Sequence, residues 1–372
     1  MTDEQLKAIR RNQLAEKKKE VEEKPIYFTT GHTLMDLVVG AGEHAGFGMG
    51  YPQGVIIRDH GDSSSSKSYK ATECIAANYH KYKDKFRWRY CDVEHGNTFD
   101  TKALYGFDMF GGQEDYGKEV ITVQDWDWDL NKWLDSLKED ECGIYVIDSL
   151  DALTDVDTVA RKEKRRAAYD KDKEFDEGSY MLTLQKFLSQ EFFRSLTAKL
   201  NKKHAILYVI SQERANISNF AFAPKTRTSN DGALKFMETV RIVSKMKEKE
   251  EKKGRAISTI IEVKGEKVRN PRPWRKCFVT IHFTYGIDSM SDEIDFLYDL
   301  RTPEGELKTS KKGEIKVDWD GMEMTREELI EYIPANKLRK ELKRRAIAKW
   351  DDIEDSIAIK RPAKYGLEDD DE

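Results

Sequence analysis

Val55-Ile-Ile-Arg-Asp-His-Gly-Asp-Ser-Ser-Ser-Ser-Lys-Ser-Tyr69 decides how this chain is read. The β-branched run predicts a strand over 55–60. Gly61 opens a tight turn, and Lys67-Ser68 begin a helix over 67–81. Strand, G-x-x-x-x-G-K-[ST] and helix in that order are the layout of a P-loop, where backbone N–H groups and a positive helix end hold phosphates. On this reading Gly61, Asp62, Ser63, Ser64, Ser65, Ser66, Lys67, Ser68 and Tyr69 surround a nucleotide. Lys67 reaches the β- and γ-phosphates, and the Ser68 hydroxyl ligates Mg²⁺. Ser66 stands where the motif has its second glycine, so a Cβ there crowds the phosphates or opposes a positive φ.

Working outward, apolar β-rich runs alternate with helical patterns. Strands are expected over 55–60, 86–93, 119–124, 143–148 and 204–211, with helices over 67–81, 129–138 and 180–202 between them. Buried strands separated by helices predict a mainly parallel sheet. Before this core, Thr29 to Gly40 reads as a capped helix. After it, strands over 238–246, 257–264 and 276–284 lack long helices and are expected to continue the sheet antiparallel.

Four units follow: an N-terminal helical arm (1–28), an α/β core (29–288), a small C-terminal α+β region (289–350), and a polar segment with an acidic tail (351–372). The last basic helix pattern covers 336–349, and Gly366-Leu-Glu-Asp-Asp-Asp-Glu372 reads as a solvated acidic end.

The chain has 372 residues and a net charge of −5, so a nucleic-acid surface here has to be a local patch. Its four cysteines (Cys74, Cys91, Cys142, Cys277) form no C-x-x-C pair. That pattern fits a reducing cytosol better than a disulfide or zinc framework. No apolar run approaches the roughly 18 residues of a membrane helix, and the charged N-terminus is unlike a signal peptide.

Three strand ends supply the chemistry that the P-loop needs. Gly143-Ile-Tyr-Val-Ile-Asp-Ser149 carries Asp148 at the end of a buried strand, where a carboxylate holds the Mg²⁺ beside the phosphates. Tyr90-Cys-Asp-Val-Glu-His95 offers Glu94 as the base that activates water. Ile210-Ser-Gln-Glu213 places the Gln212 amide where it can sense a γ-phosphate.

Two segments are expected to be loops that grip single-stranded nucleic acid. Ala160 to Ala167 supplies Arg161, Lys162, Lys164, Arg165 and Arg166. The second follows Gln212 and interleaves Arg214, Lys225 and Arg227 with Phe220 and Phe222. Cations follow the phosphate backbone while aromatic rings stack on bases.

P-loop, Asp-Val-Glu-His, Ile-Asp-Ser, Ser-Gln-Glu-Arg and Gly232-Ala-Leu-Lys-Phe236, in this order, resemble the RecA family of recombinases from about Thr29 to Asp288. The missing second glycine, Thr30-Gly-His-Thr-Leu-Met-Asp36 and Leu188-Ser-Gln look closest to the phage UvsX-type branch. The resemblance implies a RecA-like fold and an ATP- and Mg²⁺-dependent helical filament on single-stranded DNA. Such a filament exchanges strands with a homologous duplex and is aided by single-strand-binding and loader proteins.

It assigns catalysis to Lys67, Glu94 and Gln212, and makes Lys264 and Lys267 basic residues that reach a neighbouring subunit's ATP. The N-terminal arm becomes the piece that docks on the next protomer. The family's adenine platform falls near Thr101. The implied setting is the cytoplasm of a bacterium or a phage-infected host. Two other readings share these residues: a ring-forming hexameric DNA motor, and a DNA-binding filament scaffold that does not hydrolyse ATP.

Overall fold

The computed structural model describes residues 25–40, 48–62, 64–111, 113, 119–169, 187–188, 192–215, 226–228, 231–268, 272–308 and 315–359. Residues 1–24 of the expected N-terminal arm, the acidic end, and residues 180–186 and 189–191 of the expected 180–202 helix lie outside them; the helix Phe193–Lys202 is described.

A nine-stranded sheet is the frame. In chain order its strands are β3 (Ile56–Gly61), β4 (Phe86–Asp92), β5 (Cys142–Asp148), β6 (Ala205–Ala215), β7 (Thr226–Thr228), β8 (Val240–Lys252), β9 (Arg255–Lys267), β10 (Lys276–His282) and β11 (Gly286–Ile287). A short pair, β1 (Tyr27–Phe28) and β2 (Tyr51–Pro52), lies apart from it. The spatial order is β11-β10-β9-β8-β3-β6-β5-β4, with β7 paired to β6. Strands β8, β3, β6, β5 and β4 run parallel.

Period-two alternation explains why both faces are covered. Ile144 and Val146 join one core with Ile206, Tyr208 and Ala71 from the Lys67–Tyr82 helix. Tyr145 and Ile147 join another with Leu207, Trp126 and Phe193 from the opposite helices. Cys91 and Cys142 are buried in their strands as small apolar groups.

Three expectations are corrected. Residues 119–124 are not a strand: Thr122 makes only an isolated bridge to Thr154. A helix starts at Val123 instead of 129 and ends at Ser136, because Thr122 and Asp125 cap each other's backbone in a capping box. Secondly, β8 is parallel to β3, and antiparallel pairing begins only between β8 and β9. The helix Asp231–Met237 supplies the crossover that parallel pairing requires. Thirdly, the helix expected from Thr29 begins at Thr33, because Thr29 and Thr30 instead donate to the Asp36 carboxylate.

Beyond the sheet, the helix Ser289–Leu297 leads to a hairpin of β12 (Lys316–Trp319) and β13 (Met322–Thr325). A Thr325–Glu328 capping box then starts the helix Arg326–Ala335. Ile294, Val317, Trp319, Leu329, Ile333 and Leu342 give this region its own small core. The last helix runs unbroken from Arg339 to Ile357, across residue 350. Among the described residues no helix is long and apolar enough to cross a membrane.

Candidate nucleotide site

The chain leaves β3 for the far edge at β4 and then steps back through β5 to β6, which lies beside β3. A crevice therefore opens beyond the C-terminal ends of these strands, the usual ligand position in such sheets. Strand register brings the key residues level. Gly61 pairs with Gln212 and Asp92 pairs with Asp148.

Gly61 adopts φ +152, and a Cβ there would lie 2.0 Å from the Ser244 carbonyl oxygen, so the turn requires glycine. Ser66 sits in the left-handed region at φ 52, ψ 37, immediately before the helix Lys67–Tyr82. The sequence thus keeps the glycine-like backbone at this position while adding a side chain. Lys67 Nζ donates to the Asp62 carbonyl at 2.6 Å, the Gly61 carbonyl at 3.1 Å and Ser65 Oγ at 3.2 Å. Burial lowers its pKa, partly offset by the carboxylates of Asp59, Asp148, Asp62 and Asp151.

Ser68 Oγ donates to Asp148 Oδ2 at 2.6 Å, which brings together the two residues expected at Mg²⁺. Tyr90 OH donates to the same oxygen at 2.6 Å. Burial pushes the Asp148 carboxyl up, those two hydrogen bonds pull it down, and Glu94 and Asp92 add upward pressure. Bringing a cation to this carboxylate favours its ionised form.

Glu94 Oε1 accepts from Ser149 Oγ and, at 3.1 Å, from Gln212 Nε2. The Gln212 backbone N–H in turn donates to Asp151 Oδ2 at 2.7 Å. A polar cavity of about 250 Å³ is lined by Ser64, Ser66, Lys67, Ser68, Tyr69, Glu94, Phe99, Asp148, Ile210 and Gln212. An ammonium, hydroxyls and a helix N-terminus around a polar hollow suit a phosphate chain, and Ser68 with Asp148 suits its divalent cation. Ser63 lies outside the described residues.

Sequence reasoning missed Tyr90, Ser149, Asp151 and Phe99. Tyr90 was findable, because it shares a strand face with Asp92. Phe99 carries no such pattern, yet its ring lies 4.3 Å from that of Tyr69 at the cavity wall. Thr101 is instead a buried hydroxyl that accepts from the Met109 N–H.

Also missed was the support beneath the turn. Lys70 Nζ, fully buried, lies 2.8 and 2.6 Å from the two carboxylate oxygens of Asp59. Asp59 accepts further bonds from Ser244 Oγ and Tyr208 OH. This pair ties the helix to β3 one turn below Lys67.

Lys264 and Lys267 do not join the cavity. Both lie on β9, separated from β3 by β8, with Lys264 opposite Val243 and Val243 opposite His60. Lys264 Nζ sits 4.7 Å from the Trp274 ring centroid, and Lys267 Nζ donates to the Lys235 carbonyl.

The expected first DNA loop is corrected to a helix, Val156–Tyr169, that buries no residue. Asp155 caps its first turn through the Thr158 N–H, so 160–167 continues a regular helix. Lys162, Lys164, Arg165 and Arg166 are exposed on it, and Arg161 is half-buried. In the second segment, β6 and β7 form a ribbon that sets Arg214 opposite Arg227. Phe220, Phe222 and Lys225 lie outside the described residues.

The fold and crevice define an α/β nucleotide-binding class with a P-loop at the switch of strand order. Residues 11–288 match the family model for the RecA N-terminal domain, and the chain belongs to the RecA family. It is 26% identical to Protein RecA of a Sulfurovum species over 278 residues, covering 72% of this chain and 69% of that protein. Protein RecA of Mesoplasma florum is 25% identical over 293 residues, with coverage of 77% and 78%. For Protein RecA of Wolinella succinogenes the identity is 26% over 288 residues, with coverage of 74% and 71%.

Proposed function

We propose that this chain is a DNA-dependent ATPase and strand-exchange protein that assembles as a helical filament on single-stranded DNA and pairs it with a homologous duplex. The observation that carries this reading is the contact between Gln212 and Glu94. It joins Glu94, which this reading makes the water-activating carboxylate, to the base of the β6–β7 ribbon, where Arg214 and Arg227 are register partners.

Each residue then has a physical task. Lys67 exchanges carbonyl partners for phosphate oxygens. Ser68 and Asp148 present oxygen ligands, and the Mg²⁺ they hold supplies charge neutralisation along the phosphates. Glu94 accepts a proton from the attacking water. Gln212 reports occupancy of the site to the DNA-binding ribbon, and the exposed cations of the 156–169 helix add phosphate contacts.

Head-to-tail contacts that do not close give a filament. Lys264 and Lys267, remote from their own cavity, are placed by this reading against the next subunit's nucleotide. The N-terminal arm docks on that neighbour. Ser66 in the left-handed position supports kinship with the phage UvsX-type branch, whose P-loop also lacks the second glycine. Single-strand-binding and loader proteins are the further partners, in the cytoplasm of a bacterium or phage-infected host.

Phosphate release with and without single-stranded DNA tests the proposal. DNA is expected to stimulate turnover, with Lys67→Ala abolishing ATP-dependent DNA binding and Glu94→Gln binding nucleotide without turning it over. Full strand exchange by Lys67→Ala would overturn it, and wild-type binding without any turnover would favour a scaffold.

A further inference from the structure

Trp274 carries a backbone conformation that its side chain does not favour. It sits at φ +71, in the left-handed region, where a bulky residue is an outlier that persists only when its surroundings fix it. Here they do. The Trp274 N–H donates to the Gly265 carbonyl at 2.8 Å, and the Gly265 N–H donates to the Arg275 carbonyl at 3.0 Å. Arg275 in turn forks onto the Glu354 carboxylate of the last helix, at 2.5 and 2.6 Å. The turn is thus tied both to β9 and to the C-terminal region, and it leaves Trp274 59% exposed.

The ring of this exposed residue holds a cation, with Lys264 Nζ 4.7 Å from its centroid. Among the described residues the Lys264 ammonium has no carboxylate partner. Glu262, two residues along the same strand, is already taken by Lys276 at 2.9 Å and Lys247 at 3.3 Å. Lys276 is itself the register partner of Lys264, so no acid stands opposite it on β10. The choice of ring over carboxylate has a physical consequence. A carboxylate would hold the lysine but neutralise it, and would compete with any incoming anion. An indole face attracts the ammonium through its quadrupole and leaves the positive charge uncompensated. It also restricts a flexible side chain in advance, so less rotamer freedom is lost when a ligand arrives.

We infer that Trp274 is a positioning residue, which presents the Lys264 ammonium without a counter-ion to the triphosphate of the nucleotide bound by the next copy of this chain. This rests on the reading above in which Lys264 meets that neighbour's nucleotide, and it adds what holds the lysine ready. Because Arg275 is forked onto Glu354, the last helix is the fixed end of the same support.

The test measures the ATP concentration that gives half-maximal phosphate release by the full-length protein on single-stranded DNA. Trp274→Leu should raise it about two- to fivefold, the scale of an exposed cation–π contact. Trp274→Phe keeps an aromatic face and should recover most of that loss. Trp274 is on the surface, so neither variant empties the core. Lys264→Met should raise the same concentration at least as far as Trp274→Leu does. Adding Trp274→Leu to Lys264→Met should then change nothing more, because the ring acts only through the ammonium. An unshifted Lys264→Met would remove the underlying reading and this inference with it. A shifted Lys264→Met beside an unshifted Trp274→Leu, or full additivity in the double variant, would overturn the inference alone.

Discussion

Gln212 Nε2 donates to Glu94 Oε1 across 3.1 Å, between residues 118 positions apart in the chain. Strand order makes this possible, because β6 returns beside β3 after β4 and β5 have been laid down on its far side. Gln212→Ala removes the amide but leaves Lys67, Ser68 and Asp148 in place. We expect nucleotide binding within about threefold of wild type while stimulation of turnover by single-stranded DNA is lost, read by nucleotide titration and phosphate release; losing a single hydrogen bond sets that scale.

Ser66 occupies a left-handed conformation that costs a non-glycine residue roughly 1–2 kcal/mol. Glycine relieves this but loses about 0.4–1 kcal/mol through its freer unfolded chain. Ser66→Gly should therefore stabilise the protein by about 0.5–1 kcal/mol in urea unfolding. A loss of stability would show that the Ser66 side chain makes a favourable interaction.

Lys70 and Asp59 are both fully buried and paired. Replacing Lys70 with Met leaves a buried carboxylate without its cation, which costs about 3–5 kcal/mol. Adding Asp59→Asn removes the stranded charge, so the double variant should be more stable than Lys70→Met alone. Denaturant unfolding of the two variants checks the order.

Burial pushes the Glu73 carboxyl up to about 7 from its ordinary 4.5, against the pull of His32 and the Ile287 backbone. The folded protein then keeps a proton that the unfolded chain releases. Stability falls as pH rises from about 4.5 through about 7 and levels off above. Glu73→Gln should remove this slope, leaving the variant close to wild type at the acid end and more stable at pH ~8 by up to about 3 kcal/mol. Parallel slopes for the two proteins would contradict it.

The candidate crevice was legible because its residues sit at fixed offsets from buried strands. Gly61, Lys67, Ser68, Glu94, Asp148 and Gln212 each follow or end an apolar run, and parallel pairing carries all of them to one edge. Long-range contacts were not legible. Nothing local announces that Tyr90 shares Asp148 with Ser68, or that Lys70 is buried against Asp59. The strand expected over 119–124 failed because Thr122 and Asp125 form a cap within a β-branched run, and capping outweighed propensity there. The expected loop at 160–167 failed because a basic run solvates a helix as readily as a loop.

Negative-stain electron microscopy of the protein with single-stranded DNA and a non-hydrolysable ATP analogue tests the central claim most directly. The account predicts continuous helical filaments along the DNA that disappear when the nucleotide is omitted. Closed rings, or bare DNA with nucleotide present, would contradict it.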